Sequence, residues 1–250
     1  MNSDRTPFPK SAFEVLALAE ARHWWFRARN RVIMWVLKSR IGNIHNFLEI
    51  GCGTGFVLEG IHLAYPEATL HGTEFYEEGL AHARRRLPKA NFEKLDARTM
   101  ADVEEFDVIG AFDVIEHIEE DEQVLSNLSR ALHKNGHLLL TVPQHKWLWS
   151  AADERACHVR RYTRRELITK VKGAGFDIQY VTSFVSFLVP LMWLARQRTG
   201  QKDAEVNSEF NISERTNRVL ELVMKVELGF LKTGITFPFG GSLLLLARKQ

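Results

Sequence analysis

From residue 46 onward the chain alternates short apolar runs with amphipathic segments, the rhythm of strand–helix–strand units. Asn46–Ile50 reads as a strand, and Gly55–Tyr65 as a helix stopped by Pro66. Ala68–Glu74 is the next strand, followed by a helix over Glu77–Leu87 that Pro88 ends. Asn91–Leu95 and Phe106–Phe112 are strands three and four; Asp121–His133 is a helix closed by Asn135-Gly136, and His137–Val142 is strand five. After a polar loop, Thr163-Arg-Arg-Glu166 has the spacing of a capping box, with a helix running to Gly175. Phe176–Thr182 follows as strand six, 187–232 is largely helical, and Gly241–Arg248 makes a last strand. The expected fold is α/β: a doubly wound, mostly parallel seven-stranded sheet with helices on both faces.

Residues 1–45 lack this rhythm and read as helices. Ser11-Ala-Phe-Glu14 is a capping-box pattern; a second helix from Trp25 to Arg40 puts Val32, Ile33, Val36 and Leu37 on one side, with Gly42 as its stop. No internal repeat is visible. The chain thus divides into an N-terminal helical part (1–45), an α/β core (46–183), a helical insert (184–240) and a closing strand (241–250).

Composition narrows the class. With 250 residues the chain suffices for one sizeable core. Lys and Arg number 33 against 31 Asp and Glu, a balance that disfavours a non-specific nucleic-acid binder. Two cysteines make no disulfide scaffold and fit a reducing compartment. Met1–Pro7 has no basic segment leading into an apolar run, so no secretory leader is expected and a cytoplasmic location is. Between Asp177 and Arg196 lie 18 uncharged residues, near the length of a spanning helix. Gln179, Thr182, Ser183, Ser186 and Pro190 interrupt them, which favours a strand followed by a buried or interface-lying helix.

The chemistry concentrates in Phe47-Leu-Glu-Ile-Gly-Cys-Gly-Thr-Gly55. Alternate glycines between a strand and a helix let the backbone turn tightly and a ligand approach the main chain. A nicotinamide loop more often reads G-x-G-x-x-G; here the spacing is G-x-G-x-G, with Glu49 two residues before the first glycine. A carboxylate there repels a pyrophosphate and suits an ammonium or sulfonium. Glu74 ends strand two, where an acid accepts both hydroxyls of a ribose, and Asp96 ends strand three, within reach of an adenine amine.

On these pieces the chain resembles the class I S-adenosylmethionine-dependent methyltransferases, of the bacterial small-molecule type. The matching residues are Leu48–Gly55, Glu74, Asp96, Phe112-Asp-Val-Ile-Glu-His117, Asn135–Pro143 and Gly173-Ala-Gly-Phe176, within 46–183 plus the closing strand. The resemblance implies S-adenosylmethionine as cofactor and S-adenosylhomocysteine as product. It implies that Gly51, Cys52, Gly53 and Gly55 wrap the methionine part and that Glu49 lies near its amino group. Glu74, with Phe75 beside it, would hold the ribose, and Asp96 with Ala97 would meet the adenine. Phe112 and Asp113 would wall the sulfonium. Asn135-Gly-His137 stands where the family often has Pro-Gly-Gly, a departure in a loop. Residues 1–45 would then lid the cofactor, and 184–240 would carry the acceptor side.

Candidates for the chemistry are His117, five residues past Phe112, and His158 and Tyr162 in Cys157-His-Val-Arg-Arg-Tyr-Thr163. The latter loop either meets an anionic acceptor, with Arg160 and Arg161, or is a solvated basic loop whose arginines pair with Asp153 and Glu154. Asp113, Glu116 and His117, at i, i+3 and i+4, match a pattern that holds a divalent cation in some RNA and quinone-precursor methyltransferases, with His145 or His158 as fourth ligand; it is common in relatives without metal, and no metal is the favoured reading. His23, Trp24, Arg27 and Arg31 are expected to point into the site while Trp25 and Phe26 pack; Arg84-Arg-Arg86 is expected to be a solvated face.

The expected function is in-line methyl transfer to an O or N nucleophile of a small or lipid-linked, anionic acceptor. Phe184, Phe187, Leu188, Val189, Leu191, Met192 and Trp193, and Val219, Val223, Val226 and Phe230 on one side of a later helix, either pack over the sheet or form an apolar acceptor groove or peripheral membrane contact within 184–232. The competing readings are an RNA or other nucleic-acid methyltransferase and a non-catalytic S-adenosylmethionine-binding protein. The acceptor and the oligomeric state are not legible.

Overall fold

The computed structural model describes residues 12–101, 104–198 and 212–250. Seven strands form one sheet: β1 (Asn46–Ile50), β2 (Thr69–Glu74), β3 (Asn91–Lys94), β4 (Phe106–Phe112), β5 (Leu132–Pro143), β6 (Phe176–Phe184) and β7 (Ser242–Lys249). Their spatial order is β3-β2-β1-β4-β5-β7-β6, parallel except for β7, which runs antiparallel to β5 and β6. This is the expected doubly wound sheet. Its order reverses at β1, which pairs with both β2 and β4, and open α/β sheets bind ligands at the carboxyl edge of such a switch point.

The period of two along each strand builds a core on either face. Phe47, Val108, Leu139, Leu244 and Leu246 face α2 (Trp24–Val36), α3 (Phe56–Ala64) and α4 (Glu77–Arg86). Leu48, Ile50, Ile109, Leu138, Leu140, Leu243 and Leu245 face α5 (Asp121–Ala131) and α7 (Arg164–Gly173). Leu245 is fully buried, so truncation to Ala would cost about 2–5 kcal/mol.

The N-terminal part is α1 (Ala12–Ala19) and α2, the latter continued by a π-helical turn over Leu37–Ile41 that stops at Gly42 with φ 84°. Ser11 of the anticipated capping box lies outside the described residues. Strand five begins earlier than expected: α5 ends at Ala131, Leu132 already pairs with Phe106, and His133–Gly136 bulges out before His137 meets Val108. Asn135 turns that bulge in the left-handed region, which Asn tolerates better than most residues. The segment expected as a polar loop contains α6 (Ala151–Arg155), whose Ser150–Asp153 capping box escaped notice.

The insert holds α8 (Val189–Arg198) and α9 (Glu214–Lys232), separated by residues outside the description. Of Val219, Val223, Val226 and Phe230, only Val223 packs against the core, partly buried. Met224, Leu228 and Leu231 are the buried apolar residues of α9, while Val219, Val226 and Phe230 are exposed. Among the described residues, no helix is long and apolar enough to cross a membrane.

Candidate active site

The glycine loop leaves β1 at the switch point with Gly51, Gly53 and Gly55 all at positive φ (63°, 53° and 78°). Close packing adds to the demand at two of them: a Cβ on Gly51 would lie 2.6 Å from a Val114 methyl, and one on Gly55 would lie 3.2 Å from the Ala83 backbone. Gly53 differs, because its Cβ would meet nothing within 4 Å. There the turn demands glycine while the space above it stays open. Cys52 is buried between them, and burial pushes its thiol well up, which removes it as a nucleophile.

Three acids stand at or just beyond the ends of β1, β2 and β3, and one of them, Glu74, bonds this loop. Glu49 points from β1 onto the face that carries Phe47, is buried, and has one oxygen, Oε2, without a hydrogen-bond partner. Burial raises its pKa well above the ordinary value, with Arg29 opposing the shift. Glu74 accepts the Gly53 N–H at 3.0 Å and the Tyr76 N–H at 3.1 Å; burial raises its pKa against those bonds. Phe75 beside it is exposed at the rim. Asp96 caps a short turn by accepting the Arg98 N–H at 2.9 Å and pairs with that guanidinium, whose hydrogen bonds lower its pKa. Ala97 is buried, and its carbonyl accepts from Asn127 at 2.9 Å.

Phe112 closes the crevice from β4, and Asp113 follows it with φ 58°, a strained position for a non-glycine residue. The Asp113 carboxylate is held by Arg29 of α2, which also donates to the Phe112 carbonyl at 3.4 Å and lies over the Trp25 ring at 4.7 Å. Arg29 also acts on Glu20, Glu49 and Glu116, making it a common counter-charge for four acids. Sequence reasoning passed over it in favour of Arg27 and Arg31. The available signal was its place on the apolar stripe of α2, three residues after Phe26 and four before Ile33.

Arg86 is a second correction. Instead of lying on a solvated face, it reaches across to Glu20 at 3.2 Å and Thr54 at 3.3 Å. The Thr54 hydroxyl donates to Glu20, so the residue after α1 is tied to the glycine loop. Phe13 of α1 meets Tyr76, with ring centres 5.8 Å apart.

The aromatic-basic segment turns toward α9 rather than the glycine loop. His23 caps α2, its Nδ1 accepting from the Trp25 N–H at 3.3 Å, and the Trp24 N–H donates to Asn217 at 2.7 Å. Arg27 and Arg31 share the carboxylate of Glu221 at 3.0 and 2.7 Å. They line a cleft of about 610 Å³ with Lys38 and Lys232, bordered by Phe56 at the start of α3.

Beyond β4 the structure gathers the second group of candidates selectively. His117 and His158 come together, ring centres 4.7 Å apart, and His158 Nδ1 lies 2.9 Å from Asp153. Burial and the neighbouring imidazole lower the His117 pKa to about 4. Tyr162 does not join them. It is 1% exposed, and its hydroxyl donates to Asp121 at 2.6 Å, which makes it a strut of the core. Arg161 is likewise buried, with Nε 2.6 Å from Asp153 and Nη1 donating to the Gln144 carbonyl. Arg160 pairs with Asp121. The second of its two readings holds only for the Asp153 partner: Arg161 is buried rather than solvated, and Arg160 pairs with Asp121 instead of Glu154.

Sheet order, the antiparallel β7 and a glycine loop at the switch point define a Rossmann-like fold of the methyltransferase kind. Residues 48–138 match a family model described as a methyltransferase domain. A probable S-adenosylmethionine-dependent methyltransferase of Mycolicibacterium smegmatis is 30% identical over 166 residues, 65% of this chain and 62% of that protein. A trans-aconitate 2-methyltransferase of Variovorax paradoxus is 34% identical over 100 residues, 40% of this chain and 39% of the relative. The chain thus spans less than two thirds of either. Phosphoethanolamine N-methyltransferase 2 of Haemonchus contortus, solved with S-adenosylmethionine, superposes with a TM-score of 0.64 at 18% identity over 98% of this chain and 58% of that one, a likeness of fold. Residues 48–138 are thus similar to a methyltransferase-domain family, and the fold is that of the Rossmann-like methyltransferases.

Proposed function

We infer that this protein binds S-adenosylmethionine at the β1–β4 switch point and transfers its methyl group to an oxygen or nitrogen of a small acceptor. The observation that carries this reading is Glu49: a buried carboxylate with an oxygen left unpaired beside a glycine loop whose middle residue faces open space. Such an oxygen costs about 1–3 kcal/mol unless a donor meets it, and an ammonium meets it well. Gly51, Cys52, Gly53 and Gly55 then line the methionine part. Glu74, with a second lone pair on each oxygen, takes the ribose hydroxyls, Phe75 stands at its edge, and Asp96 with Ala97 receives the adenine. Phe112 and Asp113 bound the methyl-donating end, and the N-terminal helices α1 and α2 cover it.

When bound, the cofactor supplies a methyl carbon made electrophilic by its sulfonium, and the C–S electron pair returns to sulfur as the new bond forms. The protein's part is positioning, which supplies much of the acceleration in such displacements. Arg29 holds Asp113 and shields the neighbouring acids. The groups placed to take the acceptor's proton are His117 and His158, whose rings meet 4.7 Å apart beyond β4. With Arg161 sequestered, support for an anionic acceptor comes from the α2–α9 cleft: Arg27, Arg31 and Lys225 share one carboxylate, Glu221, leaving positive charge in surplus. Exposed Leu191, Trp193, Val226 and Phe230 in the insert support an apolar tail on that acceptor, as in a lipid-linked molecule. The small-molecule acceptor in the name of the Variovorax relative points the same way.

Calorimetric titration with S-adenosylmethionine, S-adenosylhomocysteine and NADH tests the cofactor. Micromolar binding of the first two alone, lost in Glu74→Ala, is the expected result, and absence of both sinks the reading. Transfer of labelled methyl to small carboxylic acids, measured against transfer to RNA, tests the acceptor class. RNA binding that weakens steeply with salt would favour the nucleic-acid alternative.

A further inference from the structure

The least explained group in the molecule is Glu116. It sits in the turn Ile115–His117 after β4, is 0% exposed, and neither carboxylate oxygen has a hydrogen-bond partner among the described residues. Asp113, three residues earlier, gives no relief, because it carries the same charge and is engaged by Arg29. A buried carboxylate is normally paired, hydrogen-bonded or bound to a metal.

What surrounds Glu116 answers which of these applies. His158 Nε2 lies 3.9 Å from Oε1, and one ligand atom each from Glu116, His117 and His158 fall within 4.8 Å of one another. Both imidazoles are oriented from behind. His158 gives its other nitrogen, Nδ1, to Asp153 at 2.9 Å, and Asp153 is itself fixed by Arg161. The His117 ring is approached by the backbone carbonyls of Ala156 and Cys157. The Val159 N–H binds the Glu116 carbonyl at 2.8 Å, locking the His158 loop against the β4 turn. An imidazole whose far nitrogen is held by a carboxylate, with its near nitrogen turned to an unpaired carboxylate, is how proteins orient metal ligands.

The geometry points to a divalent first-row transition-metal site formed by Glu116, His117 and His158, with Asp153 as the positioning residue. Two imidazoles and one carboxylate suit zinc and its neighbours, leaving a fourth position open. The observed separations exceed those of a closed site, so binding draws the three side chains inward. The metal-binding claim stands independently of methyl transfer. Its use rests on the function proposed above: a hydroxyl of the acceptor in the open position loses its proton more readily beside the cation, and the resulting oxyanion attacks the methyl carbon. With both imidazoles engaged as ligands, the proton leaves to solvent instead of passing to His117 or His158; the methyl C–S pair goes to sulfur, the cation's charge is unchanged, and no oxidant is needed.

The test uses the full chain, stripped with chelator, and Zn2+ and Co2+ as probes. Calorimetry with Zn2+ is expected to give one site of micromolar or tighter affinity. Co2+ is expected to give visible absorption bands of low-coordinate N/O ligation. Glu116→Gln, which keeps the shape, and His158→Ala are each expected to weaken Zn2+ binding at least ~10-fold; Asp153→Asn, one shell out, is expected to weaken it by about 10- to 100-fold. His82→Ala, on the far helix α4, serves as the control for stray surface binding. No Zn2+ binding, or binding that Glu116→Gln and His158→Ala leave unchanged, overturns the site. S-adenosylmethionine titration of the same stripped protein separates the two claims: cofactor binding without Zn2+ binding leaves methyl transfer standing and removes the metal, and the reverse leaves the metal standing.

Discussion

Glu74, at the carboxyl end of β2, accepts the backbone N–H of Gly53 at 3.0 Å across 21 residues of sequence. The contact joins the acid proposed to hold the ribose to the middle of the glycine loop, so on that proposal one carboxylate both shapes the loop and meets the cofactor. Glu74→Ala removes both contributions; Glu74→Gln keeps the size and an acceptor oxygen but not the charge. Charge-assisted bonds of this type contribute about 1.5–3 kcal/mol each, so S-adenosylmethionine affinity should fall by at least ~10-fold in Glu74→Gln and further in Glu74→Ala. Titration calorimetry on the two variants measures it. Equal affinity in wild type and Glu74→Gln would remove Glu74 from the cofactor site.

Glu49 trades stability for binding. Burial raises its pKa well above the ordinary glutamate value, so folding favours the protonated form. Its contribution is therefore fully present in acid and is lost as pH rises from about 4.5 through the folded-state pKa. Glu49→Gln mimics the neutral form: little change in stability is expected near pH 4, and a gain of about 1–3 kcal/mol near pH 8 in the cofactor-free protein. The same variant should lose S-adenosylmethionine affinity. Urea titrations at the two pH values check the first part; a Glu49→Gln protein less stable at pH 8 than wild type would contradict it.

Arg29 carries the opposite expectation. Removing it leaves the half-buried Asp113 without its partner and takes a favourable charge from Glu49 and Glu116, while Glu20 keeps Arg86. Breaking a buried pair costs about 3–5 kcal/mol, so Arg29→Ala should lower Tm by on the order of 10 °C. Arg29→Lys, which restores a charge without the fork, should recover only part of it. A Tm for Arg29→Ala within about 2 °C of wild type would show that these acids do not rely on it.

Which parts of the molecule were readable from sequence follows from the range of the interactions. Glu49, Glu74 and Asp96 stand at strand ends next to a glycine pattern, so local periodicity alone exposes them. Arg29 and Arg86 act through partners 84 and 66 residues away, and nothing local marks those pairings; Asp153, only 8 residues from Arg161, was within reach of a local reading. The face of α9 shows the limit of apolar counting. Two apolar stripes compete there, Val219–Val226–Phe230 and Met224–Leu228–Leu231. The choice is made by polar residues on the second stripe's side: Asn217 binds the α2 backbone at Trp24 and Arg22, and Glu221 binds Arg27 and Arg31. Glu227 adds to this by accepting the Ser186 and Phe187 N–H groups at 2.7 and 2.9 Å. Hydrophobicity ranks such residues as surface, while the structure uses them to orient the helix.

Tyr162 and Asp121 separate a strut from a catalytic group. The Tyr162 hydroxyl donates to Asp121, which also holds Lys170 at 2.6 Å and Arg160 at 2.6 Å; burial and Asp121 together keep the phenol protonated through the neutral range. For Asp121, burial raises the pKa, but the bonds from Lys170, Tyr162 and Arg160 outweigh it and lower the net value below the ordinary 3.8. A carboxyl whose pKa falls on folding stabilises above its unfolded pKa, and that contribution is lost as pH drops through the folded value. Asp121→Asn should therefore be destabilised at pH 7 by a few kcal/mol, on the order of the ~3–5 kcal/mol for a broken buried pair, with the difference from wild type shrinking toward pH 2. Tyr162→Phe should lose about 1.5–3 kcal/mol, the worth of one hydrogen bond to a charged group, since Lys170 and Arg160 still meet the same Asp121 oxygen, yet keep kcat and KM for methyl transfer near wild type at a temperature where both are folded. A drop of tenfold or more in kcat at unchanged Tm would return Tyr162 to the chemistry; a lower Tm with intact kcat assigns it to the core.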